Sequence, residues 1–142
     1  MPDISCNQKC ALAENNISER DIFYDDLTLS SGRQFVDWVV QEHGFCYTTA
    51  FLGNDYMAAG VVQRLRDLGT TVPEDFSIIC FDDSSMVNEE SLSITSVSSN
   101  PIEMGQAVAD VLLKRLDNLL GERRLVIFSP RLPIRSSVLR LS

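Results

Sequence analysis

A chain of 142 residues is long enough for one domain with a sizeable core, since a chain of this size buries roughly two thirds of the surface that its unfolded form exposes. Hydrophobic residues at 44% and charged residues at 23% exclude a disordered or fibrous chain. The net charge of -8 is uneven: residues 1–113 hold five Lys and Arg against eighteen Asp and Glu, and residues 114–142 hold seven against two. Because an acidic body repels phosphate, the chain itself is a poor candidate for binding nucleic acid.

Several other classes of protein are excluded by what the sequence lacks. No apolar run reaches the length of a membrane span, and Met1–Ser5 has neither the basic nor the apolar region of a signal peptide, so we expect a soluble, cytoplasmic chain with no membrane partner. The sequence has no glycine-rich nucleotide loop and no nucleophile elbow, and His43 is the only histidine. We therefore expect no enzymatic activity and no cofactor or metal. Buried free thiols account for Cys6, Cys10, Cys46 and Cys80.

The first third of the chain predicts a helix, a strand and a second helix. Residues 6–15 have weak helical character, and Asp21–Tyr24 is a short apolar strand candidate. Thr28 and the following serines offer caps for a helix over residues 32–42, which Gly44 ends and in which His43 lies at a solvated terminus.

A strand-to-helix switch follows at residues 49–60. Thr49–Leu52 is an apolar run, Gly53 permits a turn, and Asn54 is a good N-cap for a helix that ends at Gly69. In an open α/β sheet, ligands bind beyond the carboxyl ends of the strands, so Asn54 stands where a small molecule would be met. Residue types alone favour the simpler interpretation, in which Asn54 is only a helix cap.

The second half predicts two more parallel strands and a long helix. Residues 76–81 are typical of a strand buried on both faces, residues 84–91 of a loop, and residues 93–97 of a further strand. Pro101–Leu120 reads as an amphipathic helix, and residues 125–128 and 132–138 as two short strands. The alternation predicts an α/β fold, a doubly wound parallel sheet in three α/β/α layers. The apolar stripe of the long helix consists of Met104, Val108, Val111, Leu112, Leu116 and Leu119.

Polar pairs end three of the predicted strands: Asp25-Asp26, Asn54-Asp55 and Asp82-Asp83. On parallel strands these side chains would converge at one edge of the sheet. They could hydrogen-bond the hydroxyls of a sugar or nucleoside, at about 1.5–3 kcal/mol for each charged hydrogen bond. Magnesium binding in a phosphoryl-receiving domain is the alternative, but it needs a lysine at a further strand end, and the only lysines are Lys9 and Lys114.

Several motifs in register resemble the effector-binding region of the lac repressor (LacI/GalR) family of bacterial transcription regulators, from about Cys10 to Val138. The strongest is Thr49–Asp55 with Met57–Gly60. The others are Leu68-Gly69, Val72–Asp75, Ser77–Ile79, Phe81–Ser84, Ile94–Val97, Pro101–Gly105 and Pro130–Ser137, with Arg135 and Ser137. The resemblance implies the two-lobed, periplasmic-binding-protein-like fold, with a small effector between the lobes.

By this resemblance the chain covers only part of that domain. Residues 6–98 and 131–142 would form the C-terminal lobe, and residues 101–129 would hold elements that normally belong to the N-terminal lobe. The helix-turn-helix head that binds operator DNA, and most of the N-terminal lobe, would lie outside this chain. The long helix should therefore either repack on the C-terminal lobe or pair with another copy of the chain.

The resemblance also implies roles for particular residues. Asn54 and Asp82 match positions that hydrogen-bond the effector, a carbohydrate or a nucleoside-like molecule. Leu27 falls where relatives place a stacking aromatic residue, and Ser99 where glutamine is usual, so both depart from the pattern of the family. A homodimer is implied, with its interface at Tyr56, Met57, Val61, Met86 and Val87.

Sensing of an effector in a dimeric transcription regulator is thus the leading hypothesis. The alternative is a transport-type periplasmic sugar-binding protein of the same fold.

Overall fold

Three short parallel strands, joined through helices, form the body of the molecule. The computed structural model describes residues 14, 18, 21–88, 92–117 and 125–140. The sheet has the order β1-β2-β3, and both pairings are parallel, which confirms the predicted α/β class. The elements are α1 (Leu29–His43), β1 (Thr49–Phe51), α2 (Asp55–Asp67), β2 (Ser77–Phe81), α3 (Ser85–Asn88), β3 (Thr95–Val97) and α4 (Pro101–Asp117).

The ends of α1 and α2 follow from local capping chemistry. Thr28 caps α1 by accepting a 3.1 Å hydrogen bond from the Ser31 amide, and Gly44 ends it with φ 56°. Asn54 caps α2 by accepting a 2.9 Å bond from the Met57 amide. Because these caps satisfy amides that the first helical turn leaves unpaired, they fix where each helix begins.

Two glycines let α1 and α2 pack backbone to backbone. A Cβ atom on Gly32 would lie 2.0 Å from the Met57 carbonyl oxygen, and one on Gly60 would lie 2.0 Å from the Leu29 carbonyl oxygen. No side chain fits at either position, so glycine allows the close approach of the two helices.

The core lies between α2 and one face of the sheet. Alternation along the strands places Ile78 and Cys80 on that face, where both are fully buried. The opposite face is less covered, since Phe51 remains 65% exposed and Phe81 37% exposed. We call this second surface the open face; it consists of Phe51, Ile79, Phe81 and Val97, which the register places side by side.

The described residues 101–117 and 125–130 lie outside the body and join it at a narrow neck. The neck is an antiparallel bridge in which the Ser98 amide donates to the Arg131 carbonyl at 2.8 Å and the Arg131 amide donates to the Ser98 carbonyl at 2.9 Å. We call residues 101–130 the arm; the structure describes 101–117 and 125–130. Large apolar side chains of the arm are exposed: Ile102, Met104, Val108, Leu112, Leu113, Leu116, Leu125, Val126 and Ile127.

Several predicted elements differ from the structure. The strands predicted at residues 21–24 and 125–128 are not formed, and in the described part of the chain neither segment belongs to the sheet. Residues 132–138 run along the sheet without becoming a strand, and the segment predicted as a loop contains the short helix α3. The long helix does not repack on the lobe, since α4 buries none of its side chains. The predicted helix over residues 6–15 lies outside the described residues, apart from Glu14.

Candidate functional site

The register of the sheet brings the predicted effector residues to one edge. Phe51 of β1 pairs with Ile79 of β2. Asn54 comes three residues after Phe51, and Asp82 comes three residues after Ile79. Ser99 follows Val97, which pairs with Phe81. All three therefore lie at the carboxyl ends of the parallel strands, the edge at which open α/β sheets bind ligands.

Leu27 joins this edge through direct contact with the turn after β1. The Asn54 side-chain amide donates a 2.9 Å hydrogen bond to the Leu27 carbonyl. The Leu27 side chain lies over Gly53, where an added Cβ would be 2.5 Å from Leu27 Cδ2. Leu27 is 53% exposed and forms an apolar wall beside Asn54.

Asn54 is the cap of α2, as residue types alone suggested, but capping does not use up its side chain. Oδ1 accepts from the Met57 amide, and Nδ2 donates to the Leu27 carbonyl. A carboxamide has a second acceptor lone pair and a second N–H, which remain available to a ligand. The two contacts also hold the side chain in one orientation.

Asp55, the other residue of this pair, has a structural role. Its carboxylate is 2% exposed and accepts hydrogen bonds from Cys80 Sγ at 3.1 Å and from the Ser84 amide at 2.5 Å. Burial, together with this carboxylate, raises the pKa of Cys80 to about 12, so the thiol stays protonated and can donate. Asp55 thereby ties the start of α2 to the end of β2.

Asp83 is also occupied by structural contacts. Its carboxylate lies 2.5 Å from Arg135 Nη2, and both side chains are largely buried. Its amide donates to Ser96 Oγ at 3.0 Å, and Arg135 Nη1 donates to the Ile94 carbonyl at 2.5 Å. This network pins the C-terminal segment to the turn that follows β2.

The side chain of Asp82 is placed differently from those of Asp55 and Asp83. Its amide is held by the Val97 carbonyl at 3.1 Å, while its side chain is exposed, with no hydrogen-bond partner in the described residues. Its φ of 101° is rare for a residue with a side chain and costs about 1–3 kcal/mol. The fixed neighbours of Asp82 therefore hold its carboxylate outward in a conformation that only surrounding contacts maintain.

The third acidic pair does not end a strand. Asp25 and Asp26 are exposed, and the Asp26 amide donates to the Asp25 carboxylate at 2.7 Å. Because they come immediately before Leu27, they add negative charge to the segment that leads to the carboxyl edge of the sheet. Within the described ranges no three His, Cys, Asp or Glu side chains group closely enough to hold a metal ion.

Three of the five residues predicted to form a subunit interface are buried within the chain. Met57, Val61 and Val87 are buried in the core of the chain itself, because α2 turns that side of the helix toward the sheet and α3 packs against it. Tyr56 is 61% exposed, and Met86 is partly exposed. Of the five, these two positions are the ones that remain at the surface of the chain.

Two further predictions are corrected near the end of α1. His43 is half-buried rather than solvated, with its ring 4.5 Å from that of Trp38 and 4.9 Å from that of Tyr47. Cys46 is exposed rather than buried. Burial at these positions depends on aromatic side chains from Phe23 to Tyr47 that cluster only after folding, and no local sequence pattern signals that cluster.

Among the helices that the structure describes, none combines the length and apolar composition needed to cross a membrane.

Comparison with known proteins gives consistent matches over nearly the whole chain. A family model for the periplasmic binding protein-like domain matches residues 8–138. The HTH-type transcriptional repressor PurR of Aliivibrio salmonicida is 30% identical over 133 residues, which cover 92% of this chain and 40% of that repressor.

Solved structures agree with these matches. The Escherichia coli transcriptional repressor ascG is 30% identical with a TM-score of 0.80, over 93% of this chain and 48% of that one. A LacI family transcriptional regulator from Enterococcus faecium with bound ribose is 27% identical with a TM-score of 0.78, over 94% of this chain and 50% of that one. The chain thus spans half or less of the length of these relatives.

Proposed function

We propose, because this chain belongs to the periplasmic binding protein-like family in its LacI-type branch, that it senses a small effector for a bacterial transcription regulator. The observation that carries the proposal is the contrast among the acidic residues at the carboxyl edge. Asp55 and Asp83 are consumed by internal contacts, whereas Asp82 is held outward at φ 101° beside Asn54. Strained, exposed polar groups on a fixed scaffold are typical of binding sites.

The chemistry of the edge suits a polyhydroxylated effector. The Asp82 carboxylate accepts hydrogen bonds from hydroxyls, and the Asn54 amide both donates and accepts. Leu27 supplies an apolar wall for a sugar ring face, and Ser99 adds a hydroxyl. The Enterococcus faecium neighbour with bound ribose supports a carbohydrate as the ligand class.

The edge is one wall of a cleft. We assign residues 6–98 and 131–142 to the C-terminal lobe, and residues 101–129 to elements of a second lobe. The neck at Ser98 and Arg131 supports this boundary, since the chain leaves the body there and returns there. A ligand that contacts one wall loses half of its hydrogen bonds, so this chain alone should bind a sugar with an affinity of only about millimolar.

Regulation would follow from a difference in affinity between two lobe arrangements. An effector that binds the closed arrangement better shifts the population toward it, and this change repositions DNA-binding heads through a dimer. Operator DNA would be contacted only by a head outside these residues, consistent with the acidic charge of this part. Tyr56 and Met86 are the residues that we place at the subunit contact, and the cytoplasm is where a repressor meets DNA.

The transport-type alternative has less support. The PurR and ascG relatives are both described as transcriptional repressors. We therefore favour the regulator over a transport protein of the same fold.

A titration with ribose, followed by amide NMR chemical shifts, tests the proposal. We expect weak, saturable shifts centred on Leu27, Asn54 and Asp82. Asp82→Asn removes the charged acceptor, which contributes about 1.5–3 kcal/mol, and should weaken binding about tenfold or more.

The matched control is Glu74→Gln, because Glu74 is an exposed acidic residue just before β2, at the opposite edge of the sheet. This variant should bind like the parent chain. An unchanged affinity in Asp82→Asn would contradict the assignment of the site, and tight binding by this chain alone would contradict the one-walled cleft.

A further inference from the structure

The two polar pairs at the carboxyl edge, Asn54-Asp55 and Asp82-Asp83, share one arrangement. In each pair the first side chain keeps hydrogen-bonding groups available to a ligand, and the second is locked into the body by internal contacts. Asp55 is 2% exposed, and the side chain of Asp83 is 15% exposed. A residue that is fixed in the body therefore comes directly after each residue that we place at the effector.

The turn after β2 holds two successive residues in an unfavourable backbone conformation. Asp82 has a φ of 101° and Asp83 a φ of 59°, in the left-handed region that favours glycine. Residues with a side chain persist there only where surrounding contacts hold them. If those contacts were lost, the turn would relax toward negative φ, and the Asp82 carboxylate would point elsewhere. The direction of this carboxylate thus depends on the contacts that hold the turn.

Hydrogen bonds from three successive amides attach this turn to two neighbouring elements. The amides of residues 82–84 donate, in chain order, to the Val97 carbonyl at 3.1 Å, to Ser96 Oγ at 3.0 Å and to the Asp55 carboxylate at 2.5 Å. The first two acceptors lie on β3, and the third lies in the first turn of α2. Ser96 is fully buried, so its hydroxyl is held in place by the core. The turn cannot rotate without breaking bonds to both elements.

Arg135, the ion-pair partner of Asp83, is attached to the sheet independently of that pair. Its amide donates to Thr95 Oγ1 at 2.9 Å, and its Nη1 donates to the Ile94 carbonyl at 2.5 Å. Nη2 lies 2.5 Å from the Asp83 carboxylate, and the two side chains are only 17% and 15% exposed. Because solvent screens such a pair weakly, its attraction is stronger than that of a surface pair. Arg135 therefore sets the position of Asp83.

We propose that Arg135 and Ser96 are positioning residues for the effector contact of Asp82, and that both act through Asp83. Arg135 holds the side chain of Asp83, and Ser96 holds its amide, so together they fix the peptide that joins Asp83 to Asp82. Neither residue needs to touch the effector. The inference rests on the proposed function, because that function assigns Asp82 to the effector. It adds that the affinity for the effector depends on two side chains behind the binding edge.

Ribose titrations of the full chain, followed by amide NMR chemical shifts, test this inference with three variants. Arg135→Met removes the guanidinium but keeps an apolar side chain, and we expect about tenfold weaker binding. Arg135→Lys keeps the charge without the planar fork, and Ser96→Ala removes one hydroxyl; each should weaken binding about threefold. Arg135→Met added to Asp82→Asn should weaken binding little further, because it acts only through Asp82.

A measurement without ligand reports on the turn itself. The coupling constant between the amide proton and the Hα proton of Asp82 depends on φ. It should change in Arg135→Met and in Ser96→Ala, because the turn relaxes when either contact is lost. If Arg135→Met does not fold, Arg135→Lys and Ser96→Ala carry the same test with smaller changes.

The matched control is Arg64→Met, the same substitution at an ion pair elsewhere in the body. Arg64 lies in the last turn of α2, at the end of the helix away from Asn54, and forms a 2.7 Å ion pair with Asp37. Its variant should lose stability to urea while its ribose affinity and its Asp82 coupling constant stay unchanged. A purely structural role of Arg135 predicts this same outcome for Arg135→Met.

The possible failures of this inference and of the proposed function can be told apart. Parent-like affinity in Arg135→Met and Ser96→Ala, with weaker binding in Asp82→Asn, overturns the positioning role and leaves the proposed function standing. Weaker binding with an unchanged Asp82 coupling constant would mean that Arg135 acts on the effector without moving the turn, which also overturns it. A parent chain without saturable ribose shifts overturns the proposed function, and the positioning role with it.

Discussion

Helices α2 and α4 show how the same sequence pattern leads to different structural outcomes. Both are amphipathic and begin with a cap or a proline. α2 buries Met57, Val61 and Leu65, whereas α4 buries none of its side chains. The cause is topology: α2 connects two strands that pair with each other and must cross the sheet, whereas α4 leaves the last strand through the neck. Helical periodicity tells which side of a helix needs burial, but not what buries it.

The contrast extends to the candidate site. Asn54 and Asp82 lie on the body, where a 2.9 Å hydrogen bond holds the Asn54 side chain and a 3.1 Å hydrogen bond holds the Asp82 amide. Ser99 lies between β3 and α4, at the junction with the arm. The geometry of the Asn54 and Asp82 pair should therefore persist whatever covers the arm, while that of Ser99 should depend on it.

The strongest test of this contrast uses one glycine from each helix. Gly60→Ala places a methyl group against the Leu29 carbonyl, which is backbone and cannot rotate away, so α1 and α2 must separate. Overpacking costs about 1–3 kcal/mol or more, and alanine returns up to about 1 kcal/mol of helix propensity. We expect a net loss of about 2 kcal/mol in the free energy of unfolding, measured with urea.

Gly105→Ala is the matched change in α4, where an added Cβ meets nothing within 4 Å among the described residues. At Gly105 only the helix propensity changes, so the free energy of unfolding should stay equal or rise. Equal effects of the two substitutions would mean that α4 packs as tightly as α2.

A somewhat smaller effect is expected from two adjacent serines. Ser137 is 1% exposed, and its hydroxyl accepts from the Thr95 amide at 2.8 Å and donates to the Ile78 carbonyl at 2.6 Å. Ser137→Ala leaves buried backbone groups on β2 and β3 without this partner, at about 1–3 kcal/mol. Ser136 is exposed with one long contact of 3.4 Å, so Ser136→Ala should be nearly neutral. Equal thermal midpoints for the two variants would show that the C-terminal segment does not hold the sheet.

Local chemistry made much of the body predictable. Thr28 and Gly44 bound α1 because caps act on the nearest turn, and Asn54 begins α2 for the same reason. Strands at residues 21–24 and 125–128 were predicted from composition alone and are not formed, because a strand needs a neighbour that no local pattern supplies. The short helix α3 was missed because its four residues lie in a polar segment.

The candidate site was predictable in position but not in detail. Parallel strands make their carboxyl ends converge, so Asn54 and Asp82 could be named from the sequence. That Asp55 and Asp83 are structural while Asp82 is exposed depends on Cys80, Ser84 and Arg135, which are distant in sequence. The same limit explains why Met57 and Val61 were assigned to a subunit contact although they fill the core.

The smallest effect on stability is expected at the contact that attaches the segment before α1 to the body. The helix of the arm, in contrast, buries no side chain. Tyr47 donates a 2.5 Å hydrogen bond to the Asp21 carboxylate. Because a phenol has a single proton, the 3.1 Å contact between His43 and Tyr47 requires that His43 Nδ1 carries the hydrogen. The hydrogen bond to Asp21 raises the pKa of Tyr47 from 10.0 to about 12, and the same bond lowers the pKa of Asp21 below 3.8.

The direction of the pH dependence follows from these two shifts. The raised pKa of Tyr47 contributes stability that is complete below pH 10 and is lost as the pH rises toward 12. The lowered pKa of Asp21 contributes stability that is present above pH 3.8 and is lost as the pH falls below it. Asp21 is exposed and Tyr47 is only partly buried, so solvent screening keeps the effect small. Tyr47→Phe should flatten the dependence of the unfolding free energy on pH in both windows, and unchanged slopes would show that this anchor does not form in solution.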